Sequence, residues 1–304
     1  MSSVASVGHN ESVSVHPQSV HIGAEIRGVD LSQPLADETV AEITAALLKW
    51  KVVFFRDQRL DHDSHIRFAR AFGKPTPGHV VLGNEGTHPE IYSIAKYRAA
   101  TEGPPGVKRS WTGWHTDITA AVNPPYASIL RGVTVPPYGG DTQWTNLAAA
   151  YRALSPKLRG FLDTLRVVHA FESRSESFNE QVKANRLEAE HPLVTIHAGT
   201  GERVLYVSPV FAKRIVDLTP TESEALLEQL WEHAVRPEFT VRFKWEPGSV
   251  AFWDNRATSH LAPSDIFDVD FDRQFYRVTL LGDVPVGVDG SASTMLSGKP
   301  IEAV

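Results

Sequence analysis

The stretch Gly113-Trp-His-Thr-Asp-Ile-Thr119 sets an imidazole and a carboxylate two residues apart. On an extended chain such residues share a face, so His115 and Asp117 are spaced to close on one ion. The spacing describes equally well a strand with polar residues on its wet side. Two other His-x-acid triplets, His9–Glu11 and His88–Glu90, read as accidental. A third ligand changes the weighting. His260 follows the apolar run Val250–Trp253, far along the chain, and only a closed β-architecture brings it to His115. Two histidines and one carboxylate on one side of a metal leave the other positions open, as in non-heme Fe(II) oxygenases. On spacing alone, an ordinary loop histidine is the simpler reading of His260.

In "DRQFYRVTLLGD", Arg273, Phe275, Arg277 and Thr279 fall on one face of a strand. Two guanidiniums on an otherwise apolar face are costly unless anions answer them. Arginine grips a carboxylate or sulfonate through two parallel hydrogen bonds. The acidic stretch from Asp265 to Asp272 offers another set of partners, and the strand alone does not decide between them. "GGDTQWTN" (139–146) places Thr142 after two glycines, which by itself is a turn entering a strand.

The elements that must hold these residues follow from patterning. Asp37 looks like the cap of a helix carrying Val40, Ile43, Leu47 and Leu48, which runs into a buried strand at 52–55. A second helix is expected from Asp61 to Phe72, closed by Gly73. Residues 126–136 read as a strand, and Ser155-Pro156 opens a further helix. Residues 192–208 form a hairpin pattern, and "TPTESEALLEQLWEHA" is an amphipathic helix. "EFTVRFKWEPGSVAFWD" alternates, turns at Pro247-Gly248 and resumes as a strand, and "RQFYRVTLLGD" is a last strand. Without βαβ alternation, the pattern predicts a mixed α/β, mainly β chain: a jelly-roll (double-stranded β-helix) core with flanking and inserted helices. A loose tail over 1–15 and a single domain over 16–304 are expected.

Composition narrows the partners. Thirty basic against 36 acidic residues give a net charge of −6, which argues against nucleic acid. No cysteine is present, so a metal would need His, Asp and Glu. The first 20 residues lack a signal-peptide pattern and no apolar run approaches a membrane span, so a cytoplasmic location is expected.

Taken in order, "HIGAEIRGVDLSQPL", "KVVFFRDQ", "WHTDIT", "GGDTQWTN", "WDNRATSH" and "RVTLLGDVPV" resemble the TauD/TfdA family of Fe(II)- and 2-oxoglutarate-dependent dioxygenases over nearly the whole chain. The resemblance implies His115, Asp117 and His260 as iron ligands, and Thr142 with Arg273 at the distal carboxylate of 2-oxoglutarate. It implies Arg277 and His79 at the substrate's anionic group, O2 as the second cosubstrate, and a homodimer or homotetramer. Two positions depart from the taurine-oxidising members: Trp111 stands where they have an amide, and Arg174 where they have a small hydroxyl residue. Both suit a longer or bulkier small organic anion, and the C-terminal segment is similar to the sulfate-ester-cleaving branch. The substrate thus implied is a sulfonate or alkyl sulfate ester, with an aryloxyalkanoate carboxylate as the alternative. Outside this chemistry stand a zinc hydrolase with the same ligands and a non-catalytic anion-binding jelly-roll module.

Overall fold

The run Val-Val-Phe-Phe at 52–55 shows no polar alternation because the strand it forms is covered on both faces. The computed structural model describes residues 13–84, 86–95, 109–172, 180 and 182–304. It places that strand within a seven-stranded sheet. The order across it is β1 (Ser14–Pro17), β2 (Ala24–Arg27), β3 (Val52–Phe55), β13 (Val250–Asp254), β5 (Ala127–Thr134), β15 (Gln274–Leu280) and β4 (Tyr92–Ala95). Val52, Phe54, Ala251, Trp253 and Phe275 point to one side, into a cluster with Trp144 and Trp245. Val53, Phe55, Val250, Phe252 and Val278 point to the other, beneath α1 (Asp37–Trp50) and α2 (His62–Arg70). The period-2 rule holds, with both faces apolar.

A second β-layer closes the interior. It contains a three-stranded sheet of β12 (Thr240–Phe243), β6 (Thr142–Asn146) and β14 (Thr258–Leu261). Phe54 stacks on Phe243 at 4.0 Å between centroids and meets Trp144 edge-on at 5.4 Å, so aromatic rings bridge the layers. A four-stranded sheet of β11 (Ala212–Ile215), β7 (Arg166–Ala170), β8 (Glu188–Pro192) and β16 (Thr294–Ser297), and the hairpin β9 (Val194–Ile196) with β10 (Arg203–Leu205), complete the strands. Helices α3 (Leu147–Ala153), α4 (Pro156–Leu162) and α5 (Pro220–Ala234) contribute to a separate buried cluster with the hairpin. This is the helix-flanked jelly-roll expected from the strand pattern. Among the described residues no helix is long and apolar enough to cross a membrane.

Local chemistry explains most boundaries. Asp61 and Ser64 form a reciprocal capping box for α2, Thr219 and Glu222 do the same for α5, and Ser155 caps α4 ahead of Pro156. Asp37 is not a cap: it is the first helical residue of α1, after Ala36, which makes no side-chain capping bond. Helix α2 ends at Arg70, short of the expected Phe72. The turn at Pro247-Gly248 makes no hairpin: β12 pairs with β6, whereas β13 pairs with β3 and β5, so the chain changes layers there. Ser14 and Val15 belong to β1. Val13 packs against the core, and residues 1–12 of the expected tail, with Arg174, lie outside the described residues.

One buried carboxylate ties the end of β13 to the hairpin loop. Asp254, fully buried, accepts from Arg256 at 2.6 Å and from His197 Nε2 at 2.9 Å. Burial alone would raise its pKa, but the bonds from Arg256 and His197 hold it below the usual carboxylate range. A depressed carboxylate stabilises the fold above the unfolded pKa of about 3.9, and that contribution fades as pH falls from there towards the folded value. Asp254→Asn is therefore expected to cost about 1–3 kcal/mol at neutral pH, since it removes the charged acceptor of the partly exposed Arg256 guanidinium and of His197. It should also flatten the loss of stability below about pH 4. Urea unfolding across pH 3–7 checks both; parallel profiles for wild type and variant would contradict the assignment.

Candidate functional site

His115 and His260 meet as an isolated antiparallel bridge, exchanging backbone hydrogen bonds of 2.9 and 2.7 Å. His260 belongs to β14, so closure of the β-layers joins the distant segments. Asp117 does not continue a strand from His115. It stands at the start of a turn in which Ile118 holds a φ of 52°. That left-handed conformation is unusual for a β-branched residue and marks a backbone held by its surroundings. One ligand atom each of His115, Asp117 and His260 lie within 4.8 Å of one another.

The protonation of these groups suits metal binding. His115 Nδ1 donates to the Gly113 carbonyl at 3.0 Å, which leaves the Nε2 lone pair free. The His260 ring sits 4.2 Å from that of His115 and 4.9 Å from that of Trp253; its Nδ1 is buried without a partner among the described residues. Burial, with His115 beside it, lowers the His260 pKa to about 3, so the ring is neutral at working pH. Burial opposes ionisation of Asp117, but Arg277, the two histidines and Ser128 outweigh it and hold the carboxyl below its usual range. Asp117 Oδ1 accepts from Arg277 Nη1 and Oδ2 from Ser128 Oγ, each at 2.6 Å. Two imidazoles and an anionic carboxylate, in a chain without thiols, are a donor set that fits Fe(II).

Arg273 and Arg277 reach the same interior from β15 and its approach. Arg273 is 9% exposed, lies 4.0 Å over the Phe275 ring and donates to the Gly140 carbonyl. No carboxylate pairs with it among the described residues; Asp265 instead accepts from Arg242 and the Gly140 amide. Burial pulls its pKa down to about 10. The approach is narrow: Gly140 has φ +67°, and a Cβ there would press on the Arg273 side chain at 3.3 Å. Thr142, at the start of β6, accepts from Trp245 Nε1 at 2.9 Å. An indole only donates, so the Thr142 hydroxyl keeps its own hydrogen for another acceptor. Thr142→Val is expected to strand the indole, at about 1–3 kcal/mol of stability, and to raise the 2-oxoglutarate KM. Thr142→Ser should restore both; thermal melts with steady-state KM values test this, and an unchanged KM in the valine variant contradicts it.

His79 accepts from the Val81 and Leu82 amides at Nδ1, at 3.1 and 3.0 Å. It is therefore a fixed neutral donor through Nε2. Burial and Arg277 lower its pKa to about 3. Its ring lies 5.0 Å from Tyr92 and 5.7 Å from Phe171, and the Arg277 guanidinium lies 5.4 Å over Tyr92. Trp111, expected at the substrate, meets Trp231 of α5 with tilted rings at 4.6 Å between centroids and packs on the helical layer's core. Sequence reasoning missed Ser128 and Trp245. The indole at 245, buried and needing an acceptor, was a usable signal; nothing marked Ser128.

The comparisons agree with this geometry. Residues 14–279 match the family described as "Taurine catabolism dioxygenase TauD, TfdA family". An alpha-ketoglutarate-dependent sulfate ester dioxygenase of Pseudomonas putida is 41% identical, over 95% of this chain and 96% of that protein. An alkylsulfatase of Acinetobacter baylyi is 36% identical, over 93% and 89%. A crystal structure of a taurine dioxygenase from Burkholderia xenovorans superposes with a TM-score of 0.86 at 62% identity, covering 95% of this chain and 96% of its own. With the ligand cluster, the lone guanidinium and matches along nearly the whole chain in accord, the protein belongs to the TauD/TfdA family of dioxygenases.

Proposed function

We propose that the protein is an Fe(II)-, 2-oxoglutarate- and O2-dependent dioxygenase that oxidises a small organosulfur anion, with alkyl sulfate esters as its substrates. The carrying observation is Arg273, a buried guanidinium that donates to the Gly140 carbonyl, two residues before Thr142, and that forms no salt bridge with a carboxylate among the described residues. A low-dielectric interior holds such a charge at high cost unless an incoming anion completes it. In this reading His115, Asp117 and His260 hold Fe(II), which supplies the O2 chemistry that couples decarboxylation of 2-oxoglutarate to oxidation of a substrate C–H bond. Arg273 and Thr142 grip the far carboxylate of 2-oxoglutarate and fix its depth in the barrel. Arg277 and the Nε2–H of His79 take the substrate's anionic oxygens, and holding that group sets which carbon faces the metal. Tyr92 and Phe171, against His79, offer an apolar wall for a carbon chain.

Hydroxylation at the carbon bearing the ester oxygen gives a product that collapses: its C–O bond to sulfate breaks, and the new hydroxyl loses its proton to become an aldehyde. Sulfate, aldehyde, succinate and CO2 result. The same attack beside a sulfonate releases sulfite. The sulfate-ester and alkylsulfatase relatives support the first outcome. A cytoplasmic homodimer or homotetramer is the setting we propose. The test is a panel of alkyl sulfates, taurine and an aryloxyacetate with Fe(II) and 2-oxoglutarate, following succinate, sulfate and sulfite separately. Sulfate matching succinate is expected with alkyl sulfates. Sulfite from taurine without sulfate from any ester moves the substrate to sulfonates, and no succinate with any anion overturns the reading.

A further inference from the structure

The two oxygens of Asp117 have different surroundings. Oδ1 accepts from Arg277 Nη1 at 2.6 Å and faces His260 Nε2 at 3.9 Å, whereas Oδ2 accepts from Ser128 Oγ at 2.6 Å. The bond to Oδ2 is the end of a longer chain. Trp253 Nε1 donates to Asn255 Oδ1 at 2.9 Å, and Asn255 Nδ2 donates to Ser128 Oγ at 2.8 Å. Trp253, Asn255 and Ser128 are 1%, 2% and 0% exposed, so solvent supplies no competing partner. Adjacent strands build the chain: Trp253 of β13 is the register partner of Ser128 on β5, and Asn255 follows at the turn.

The chain runs one way only. An indole N–H cannot accept, so the asparagine must turn its oxygen to Trp253 and its amide nitrogen to Ser128. Ser128 Oγ, accepting from that amide, has one hydrogen, and the structure aims it at Asp117 Oδ2. We propose that Trp253, Asn255 and Ser128 form a directional hydrogen-bond relay that occupies Asp117 Oδ2 and so presents Oδ1 alone to the metal. The three are positioning residues. Resting on the iron reading above, the relay keeps the carboxylate a one-oxygen ligand and preserves the open positions that a 2-oxo acid and O2 require. Without the serine hydrogen, Oδ2 is free to turn to the same ion and close one of those positions.

The test uses the purified full chain with Mn(II) as probe, titrated by EPR, and with Co(II), whose visible absorption reports coordination number. Ser128→Ala is expected to weaken Mn(II) by about 10- to 100-fold, the range of outer-shell losses, and to change the Co(II) absorption. Trp253→Phe keeps the ring against His260 but removes the N–H that sets the relay's direction. It should weaken Mn(II) in the wild-type background and add less than about twofold to Ser128→Ala, because the relay is already cut. If Ser128→Ala does not fold, Ser128→Cys, nearly isosteric and a poor donor, serves in its place. A lower Tm with Mn(II) affinity and Co(II) absorption unchanged overturns the relay, as does an equal effect of Trp253→Phe in both backgrounds. Wild-type protein that fails to bind Mn(II) overturns the metal site itself, a distinct outcome.

Discussion

Arg273→Ala is expected to raise the 2-oxoglutarate KM from about thirtyfold to several thousandfold. Removing one partner of a buried, hydrogen-bonded charge pair costs about 2–5 kcal/mol, and each 1.4 kcal/mol is a factor of about ten. The effect should fall on 2-oxoglutarate rather than on the sulfated substrate, whose anionic group is assigned to Arg277 and His79. Stability should move differently. In the absence of 2-oxoglutarate Arg273 is a buried cation that forms no salt bridge among the described residues, a costly arrangement that a well-packed apolar side chain relieves. Arg273→Met, similar in length, should melt no lower than wild type while losing 2-oxoglutarate affinity. A residue retained against stability in this way is the mark of a binding site. Separate KM values for the two substrates, with melts of the apoprotein, check the pair of expectations; an unchanged 2-oxoglutarate KM contradicts the clamp.

Asp117→Ala is expected to abolish Fe(II)-dependent succinate formation and to weaken metal binding by more than about 100-fold, beyond the range of outer-shell changes. Here stability should fall with function. Arg277, 6% exposed, pairs with Asp117 at 2.6 Å, and its Nε already lacks a partner among the described residues. Removing the carboxylate leaves that guanidinium uncompensated, a change worth about 3–5 kcal/mol. The two variants thus move apoprotein stability in opposite senses while both lose turnover. Calorimetry of the apoproteins and direct metal titration separate the effects. Asp117→Ala that melts like wild type would mean that Arg277 has another anion.

The layered β-core was legible where burial on both faces left apolar runs, as at Val52–Phe55 and Val250–Trp253. Phe275 and Arg277 share a side of β15 as the period-2 rule predicts, whereas Arg273 precedes the strand, ahead of a register shift between Gln274 and Phe275, and folds over the Phe275 ring. The meeting of His115 with His260 was not legible from spacing, because it depends on a bridge that forms only when the layers close. Asp117 joins the cluster for a reason the strand argument did not contain: a turn through a left-handed Ile118. Ser128 and Asn255 were invisible because a polar residue inside an apolar strand, or after it, signals nothing until its hydrogen-bond partner is known. Family motifs supplied those non-local links, and geometry supplied the hydrogen-bond directions.

The decisive measurement is an anaerobic titration of the Fe(II)-loaded protein with 2-oxoglutarate, followed by visible charge-transfer absorption, which develops when a 2-oxo acid chelates the iron. The geometry predicts a saturable band in the wild type, one displaced to far higher 2-oxoglutarate in Arg273→Ala, and none in Asp117→Ala. A wild type with no band, or an Asp117→Ala variant that matches it, would contradict the shared metal and 2-oxo acid site.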